Sequence, residues 1–499
     1  MILALLAGSS SALDVILMVL RINGAISLDV PLQLATSGCE EESLYALWKY
    51  HIGEPVFGDP TRIPFAASYF NWLFYVIYGE IGSLAQKILG FGELWFPTVW
   101  HLITLFGVIF GTVVLARTLF KVVRGDDGIP HGAAGVVLAW AFSVLVFLGP
   151  LVGFWGITAR PDALAMVFEA CAMAAFFAMW PRTQAGAVIV YAFFAFCAWS
   201  MKQINIVAFG AMGLLLLVRG RYRLLFLLVG LASVLCGVVL ALGSDSYRNI
   251  LFLRDTHIEL FPSLALFNLL QLLRKAPPIL VGVAALSVCL INPALRARLL
   301  ASDAFILGSS GMVVWAMVMI PASAKLGAAD NYHFVALLYG ALALVAALGC
   351  VGDRCRALSV GLLLGWFLAL ASVSLALAGG ARISLAEDGK ENDLLKSCMA
   401  DLQKPLYIPH LYATLPWMSG SIPVFQLAYH YWGDRARGRT FERGGVGGLI
   451  EEGYFGSLLL ETSTGESYDQ GRLDTFYRRT NRHCGRFVLY ERRYPGVTP

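Results

Sequence analysis

The sequence predicts an α-helical polytopic membrane protein with about eleven transmembrane helices, an interfacial helix in its first outer loop, and a small C-terminal α/β domain. Three observations carry that prediction. Of the 499 residues, 58% are hydrophobic and only 14% are charged, and the mean hydropathy of +0.69 lies outside the range of a soluble enzyme of this length. Apolar runs of roughly 18–22 residues, enough at about 1.5 Å per residue to cross a hydrocarbon layer roughly 30 Å thick, recur to about residue 378 and then stop. Runs that long exclude a transmembrane barrel, whose strands alternate over about ten residues.

In chain order the expected spans lie near 1–20, 95–116, 132–153, 161–180, 185–201, 204–218, 224–242, 277–292, 303–321, 332–350 and 358–378. The first carries Ser9, Ser10, Ser11 and Asp14 and lacks a basic n-region, so it reads as an uncleaved helix rather than a signal peptide. Basic residues cluster at Arg117, Lys121 and Arg124, at Arg182, at Arg219, Arg221 and Arg223, at Arg296 and Arg298, and at Arg354 and Arg356. Eleven alternating spans put all of these on one side, which the excess of Lys and Arg marks as cytoplasmic. The long loops 21–94 and 243–276, and everything after 378, then face outward.

Two regions are expected, a transmembrane region 1–378 and an outward-facing α/β domain 379–499. From about 380 the hydropathy drops and 15 Lys and Arg stand against 14 Asp and Glu, a balanced solvated surface that argues against a nucleic-acid partner. Short β-like runs at 406–408, 422–425, 457–460 and 487–490 are interspersed with helix-like stretches at 389–402 and 446–453. The "GGVGGL" string at 444–449 matches neither phosphate-loop pattern and reads as a turn. Of nine cysteines, Cys171, Cys197, Cys236, Cys289 and Cys350 fall inside expected spans as small buried hydrophobes. Cys398 and Cys484 fall in the outward region, where a disulfide between them is expected.

The first outer loop holds the most informative string, "SGCEEESLYALWKYHIGEP" at 37–55. A helix is expected from Glu40 to about Ile52, stopped by Gly53 and Pro55. On a 3.6-residue period Glu41 aligns with Tyr45, Trp48 and Ile52, Glu40 with Leu44 and Leu47, and Glu42 with Ala46 and Lys49. Two of the three carboxylates therefore head an apolar, aromatic face expected to lie on the membrane surface. The macrodipole favours acids at a helix N-terminus in any case. A partly desolvated carboxylate there is also suited to act as a general base near neutral pH. Further on, Phe65, Tyr69, Phe70, Trp72, Phe74, Tyr75 and Tyr78, continued by Trp95, Phe96 and Trp100, read as an interfacial aromatic belt.

Basic residues recur at the outer span ends: Arg160 beside Asp162, Lys202, Arg254 with His257, and Lys325 with His333. Snorkelling explains any one of them. Together they are suited to an anionic headgroup whose tail lies in lipid. Asp162 is expected to pair with Arg160 or orient a neighbour, and Glu169, seven residues on, to be an interhelical partner.

These strings together resemble the GT-C superfamily of polytopic glycosyltransferases, in particular bacterial relatives of protein O-mannosyltransferases and of the enzymes that add aminoarabinose or galacturonate to lipopolysaccharide. The resemblance rests on "EESLYA" at 41–46, similar to the family's Asp-Glu-x-x-Tyr-Ala, then "GEPVFGDP" at 53–60, "ARPDALA" at 159–165, "KQ" at 202–203 and "ADNYHFVALL" at 329–338. It implies an inverting transfer of one sugar from a polyprenyl-phosphate donor to a hydroxyl of a cell-envelope lipid, glycan or protein, in a bacterial inner membrane with the site facing the periplasm. Glu41 or Glu40 is then the candidate base, because a Glu stands where the family has its Asp and an acid flanks it on each side. Lys202, Arg254, His257, Lys325 and Arg160 are candidates for the donor phosphate, and Glu42, Tyr45, Asp59, Asp162 and His333 for positioning the acceptor. No Asp-x-Asp string is present, in keeping with a donor that is not a nucleotide sugar. The leaving group is already a phosphate, so no metal or cofactor is expected, although some superfamily members use a divalent ion. A lipid-linked glycan polymerase or ligase, and a non-enzymatic lipid or glycan transporter, are the alternatives. The first would place its chemistry on a large late loop, and the second would show internal repeats.

Overall fold

The computed structural model describes residues 1–25, 40–124, 133–252, 259–325, 327–351, 354–378, 385–408, 420, 423–425, 429–461 and 470–493. Helices dominate through 378. They are α1 (Ile2–Ala25), α2 (Glu40–His51), α3 (Trp72–Leu89), α4 (Phe96–Arg124), α5 (Ala133–Phe147), α6 (Pro161–Met179), α7 (Gln184–Met201) and α8 (Val207–Val218). There follow α9 (Tyr222–Leu242), α10 (Asp245–Leu251), α11 (Pro262–Lys275), α12 (Pro277–Ile291), α13 (Pro293–Ala301), α14 (Asp303–Ala322), α15 (Phe334–Val351) and α16 (Arg356–Ala378).

Among the described residues eight helices are long and apolar enough to cross a bilayer, so the chain is a multi-pass membrane protein. All eleven expected spans coincide with apolar helices, but three of these, α5, α8 and α12, are shorter than a full crossing. The helix α12 continues a bent pair: α11 meets it at 94°. Pro277 and Pro278 supply no backbone donor at that junction, and the clash of a proline ring keeps Ala276 out of the helical region, at φ −140° and ψ 52°. The amphipathic α11 thus turns across the spanning direction. Packing in the bundle depends on small residues. A Cβ at Gly311 would lie 2.1 Å from the Tyr339 ring, and one at Gly308 would lie 2.5 Å from the Ala343 backbone, so α14 and α15 approach as closely as glycine allows.

Contacts at the helix ends divide the bundle into two faces. At one end Arg219 Nε donates to Asp303 Oδ1 at 2.6 Å and Trp180 Nε1 to Asp303 Oδ2 at 2.9 Å, joining the ends of α6, α8 and α14 where the basic connections lie. At the opposite ends of α6 and α7 stand Arg160 and Lys202.

The first outer loop differs from expectation in two ways. Residues Glu40 to Trp48 of α2 are all buried, so this helix is packed on every side rather than laid on the membrane surface. It is clasped by α3, through Tyr50 Oη donating to Glu80 Oε1 at 2.6 Å. The expected aromatic belt is instead largely a core. Phe65, Phe70, Phe74, Tyr75, Tyr78, Phe96 and Trp100 are buried, and Phe74 contacts Phe70, Tyr75 and Tyr78 at centroid distances of 5.4, 4.9 and 4.8 Å. Of that set, Trp95 remains exposed, at 58%. Helix α3 starts where Asn71 Oδ1 accepts from Trp72 N at 2.8 Å, and it ends at Gly90, whose φ of 67° closes the last turn onto Gln86.

Beyond 378 lie α17 (Leu385–Ala400), α18 (Tyr429–Ala436), α19 (Gly445–Glu451), α20 (Gln470–Phe476) and a four-stranded sheet. The strands are β1 (Leu406–Tyr407), β2 (Ser457–Glu461), β3 (Tyr477–Cys484) and β4 (Phe487–Arg492), in the order β1-β2-β4-β3, with β1 parallel to β2 and the other pairs antiparallel. The small α/β region expected there is present. Its β3 was not legible, because Arg478, Arg479, Arg482 and His483 give it the look of a loop. The run at 422–425 forms no strand over its described residues, and "GGVGGL" is a turn at Gly444 and Gly445 that opens helix α19. The first loop reaches into this region: Phe65 packs against Phe425, Tyr431 and Phe441, while Ile63 N donates to Glu442 Oε2 at 3.0 Å.

Cys398 and Cys484 are disulfide-bonded, joining α17 to β3. Cys289 corrects an expectation. It is not a lone apolar filler, because the start of α16 brings Cys355 within a Cα separation of 6.0 Å and the two are bonded.

Candidate active site

Two short segments and one helix end converge on a cavity of about 560 Å³ at the face opposite the basic connections. The first segment is the start of α2. All three of its glutamates are buried, and of them Glu42 lines the cavity whereas Glu40 and Glu41 do not. Glu40 Oε1 accepts from His101 Nε2 of α4 at 2.8 Å and from Ala159 N at 2.7 Å.

The second segment precedes α6. Pro161 takes the first helical position, where its missing N–H leaves no bond unmade, and Arg160 just before it has extended backbone. That conformation sends the Arg160 guanidinium over Trp155, at 4.3 Å, and Phe70, at 5.4 Å, onto the cavity wall. Asp162 lies beneath. Its Oδ1 accepts from Lys202 Nζ at 2.5 Å and from Asn331 Nδ2 at 2.7 Å, and its Oδ2 is 3.5 Å from Arg160 Nε. The expected Arg160–Asp162 pair is therefore present, with Lys202 as a second and closer cation.

Lys202 caps the C-terminal end of α7, where a cation suits the dipole, and its Nζ lies 5.0 Å above the Tyr332 ring. Lys325 reaches the same cavity from the turn after α14, which Phe261 N holds by donating to Ala324 O at 2.7 Å. One carboxylate, Glu42, and three cations, Arg160, Lys202 and Lys325, thus share the polar wall. The lining also includes the apolar residues Leu240, Leu251, Phe252, Leu260 and Val318.

The remaining expected site residues lie elsewhere. Asp59 is exposed and closes a local turn, with Oδ1 accepting from Thr61 N at 2.9 Å and from Thr61 Oγ1 at 2.7 Å. Tyr45 is buried against Trp48, and Lys49 sits 5.8 Å over its ring. Burial, with a smaller contribution from Glu54, raises the Tyr45 phenol above its ordinary range, which keeps it neutral. His333 is buried and accepts at Nδ1 from Trp315 Nε1 at 3.3 Å. Arg254 and His257 lie outside the described residues. Glu169 is buried in α6 beside Tyr339 of α15, an interhelical position.

Residues that sequence reasoning missed are His101, Asn331, Tyr69, Trp199, Gln203 and Tyr332. His101 sits alone inside an apolar span and carries no local signal. Asn331 and Tyr332 stand in the "ADNYHF" string, which singled out only its histidine. Among the described residues no group of three or more His, Cys, Asp or Glu side chains is placed to hold a metal ion.

No protein-family model matches the chain, and no curated protein matches it. Solved structures do. The crystal structure of ArnT from Cupriavidus metallidurans bound to undecaprenyl phosphate is similar over 96% of this chain and 97% of that one, with 12% identity and a TM-score of 0.52. Lower TM-scores, 0.42 and 0.40, relate it to two structures from Archaeoglobus fulgidus. One is an oligosaccharyltransferase with zinc and sulfate, at 14% identity over 72% of this chain and 53% of that one. The other is the oligosaccharyltransferase AglB with an inhibitory peptide and a dolichol-phosphate, at 13% identity over 83% and 60%. The chain therefore shares its overall fold with that ArnT structure along nearly the whole length of both chains.

Proposed function

We propose that the chain is an inverting glycosyltransferase that moves a sugar from a polyprenyl-phosphate carrier to a hydroxyl of a cell-envelope acceptor. We place its cavity on the periplasmic face of a bacterial inner membrane, because the basic connections lie at the opposite helix ends. The observation that carries the reading is the composition of one cavity: Glu42, Arg160, Lys202 and Lys325 line it together with apolar side chains suited to a lipid tail. The undecaprenyl phosphate held by ArnT is a ligand of the same chemistry on the same fold.

Glu42 is the base in this reading. Its carboxylate takes the acceptor hydroxyl proton as that oxygen bonds to the anomeric carbon. The bond from that carbon to the phosphate oxygen breaks, and the electron pair leaves with the polyprenyl phosphate. Attack opposite the leaving group inverts the anomeric centre. Arg160, Lys202 and Lys325 stabilise the charge growing on the phosphate, and they need no reorganisation because Asp162, Trp155 and Tyr332 already hold two of them in place.

The test is direct. Purified protein in sealed proteoliposomes receives radiolabelled polyprenyl-phosphate sugars and a cell-envelope extract, and label is followed into acceptor. Transfer of single sugars with release of polyprenyl phosphate is expected. Movement of intact donor across the bilayer without covalent transfer would overturn the reading in favour of a transporter, and transfer of whole chains in favour of a ligase.

A further inference from the structure

The trio Glu40, Glu41 and Glu42 divides its work, and one member is tied in a way that the proposed chemistry does not use. Glu40 is fully buried, as is His101. A carboxylate only accepts, so its Oε1 takes one hydrogen from His101 Nε2 at 2.8 Å and another from Ala159 N at 2.7 Å. That single oxygen joins three elements: the start of α2, the middle of the first turns of α4, and the segment before α6. Glu42 is two residues along from one end of the tie. Arg160 is the next residue from the other.

A second set of bonds grips the same segment without touching α2. Tyr78 Oη and Thr104 Oγ1 are 2.6 Å apart, Thr104 Oγ1 donates to Thr158 O at 2.7 Å, and Tyr78 Oη lies 3.4 Å from Arg160 O. Residues 158–160 are therefore fixed by α3 and α4 even without Glu40. Glu40 adds a tie between α2 and that segment, and the tie bears on the separation of the Glu42 carboxylate from the Arg160 guanidinium.

We propose that Glu40 and His101 are positioning residues, a buried strut that sets the base against the phosphate-binding cation across two outer loops. The proposal rests on the functional reading above. Misplacing a reacting group by about 1 Å costs roughly 100-fold in rate, while the phosphate keeps its own contacts to Lys202 and Lys325.

The experiment compares Glu40→Ala, His101→Ala and Glu40→Gln with wild type in nanodiscs. Glu40→Ala and His101→Ala are each expected to lower kcat by roughly 100-fold with the donor KM changed less than about threefold. Glu40→Gln keeps an acceptor oxygen for both donors and is expected to recover most of the lost kcat. Equal kcat in wild type and Glu40→Ala would overturn the strut, and so would a Glu40→Gln as inactive as Glu40→Ala, which would make the charge itself the requirement. Amide hydrogen exchange reads the same tie without turnover. Ala159 N–H should exchange faster in Glu40→Ala, and unchanged exchange would overturn the proposal. If Glu40→Ala does not fold, His101→Ala carries the kinetic test, since the Ala159 bond remains. A wild-type protein that binds undecaprenyl phosphate but transfers no sugar overturns the functional reading, and the strut is then judged on the Ala159 exchange.

Discussion

Lys202 Nζ and Asp162 Oδ1 lie 2.5 Å apart, with side-chain exposures of only 9% and 4%. Asn331 donates to the same oxygen and Arg160 Nε stands 3.5 Å from the other, so two cations oppose a charge that would not be tolerated alone. Removing Asp162 leaves two buried cations facing each other. Asp162→Ala is predicted to destabilise the protein by about 3–5 kcal/mol, read as a lower midpoint of thermal unfolding in nanodiscs. Lys202→Met keeps the stem and loses the charge, and its affinity for undecaprenyl phosphate should fall about tenfold or more, as a charge-assisted hydrogen bond is worth roughly 1.5–3 kcal/mol.

Glu42 faces the cavity and has no counterpart there among the other described acids. Glu42→Gln is expected to lower kcat by about 100-fold to 10,000-fold, the range for losing a general base, with the affinity for undecaprenyl phosphate unchanged in equilibrium binding. An unaltered kcat would pass the role of base to Glu41.

Lys49, near the end of α2, is pushed down to about 8 by burial, with Glu54 opposing the shift. Between about 8 and its ordinary value of 10.5 the unfolded chain holds more protons at this site than the folded one, so folding stability rises with pH across that window. Replacing Lys49 with Met should flatten this rise, and it should raise stability most below pH 8, where burial opposes the charge. Denaturation midpoints of both proteins at a series of pH values between about 7 and 11 check the sign.

Phe65 adopts φ 61° and is buried among aromatic rings contributed by residues far along the chain, next to the Ile63 to Glu442 hydrogen bond. Phe65→Ala is predicted to cost about 3–5 kcal/mol and to leave the first loop open to proteolysis between α2 and α3. Limited digestion followed by mass spectrometry of the fragments reads both effects.

The Cys398–Cys484 bond closes a loop of 86 residues. Its loss in Cys398→Ser should destabilise the C-terminal region by about 2–5 kcal/mol. Alkylation under denaturing conditions without reductant should leave both residues unlabelled in wild type.

The sequence by itself determined where this chain meets the bilayer. Apolar run lengths located the apolar helices between Ile2 and Ala378, eight of which among the described residues are long and apolar enough to cross it, because lipid leaves so few ways to satisfy a backbone. It also singled out Arg160, Asp162, Lys202 and Lys325, since a charge at the edge of an apolar run is expensive and therefore conspicuous. Tertiary structure alone decided which of three consecutive glutamates faces the cavity. A helix period places Glu40, Glu41 and Glu42 about 100° apart but says nothing of what surrounds each direction, and α2 turned out to be buried on every side. His101 and Ala159, which tie down Glu40, are distant in sequence and chemically silent there. The aromatic residues of the first loop were misread for the same reason: a ring suited to the headgroup layer is equally suited to a core, and only packing distinguishes them.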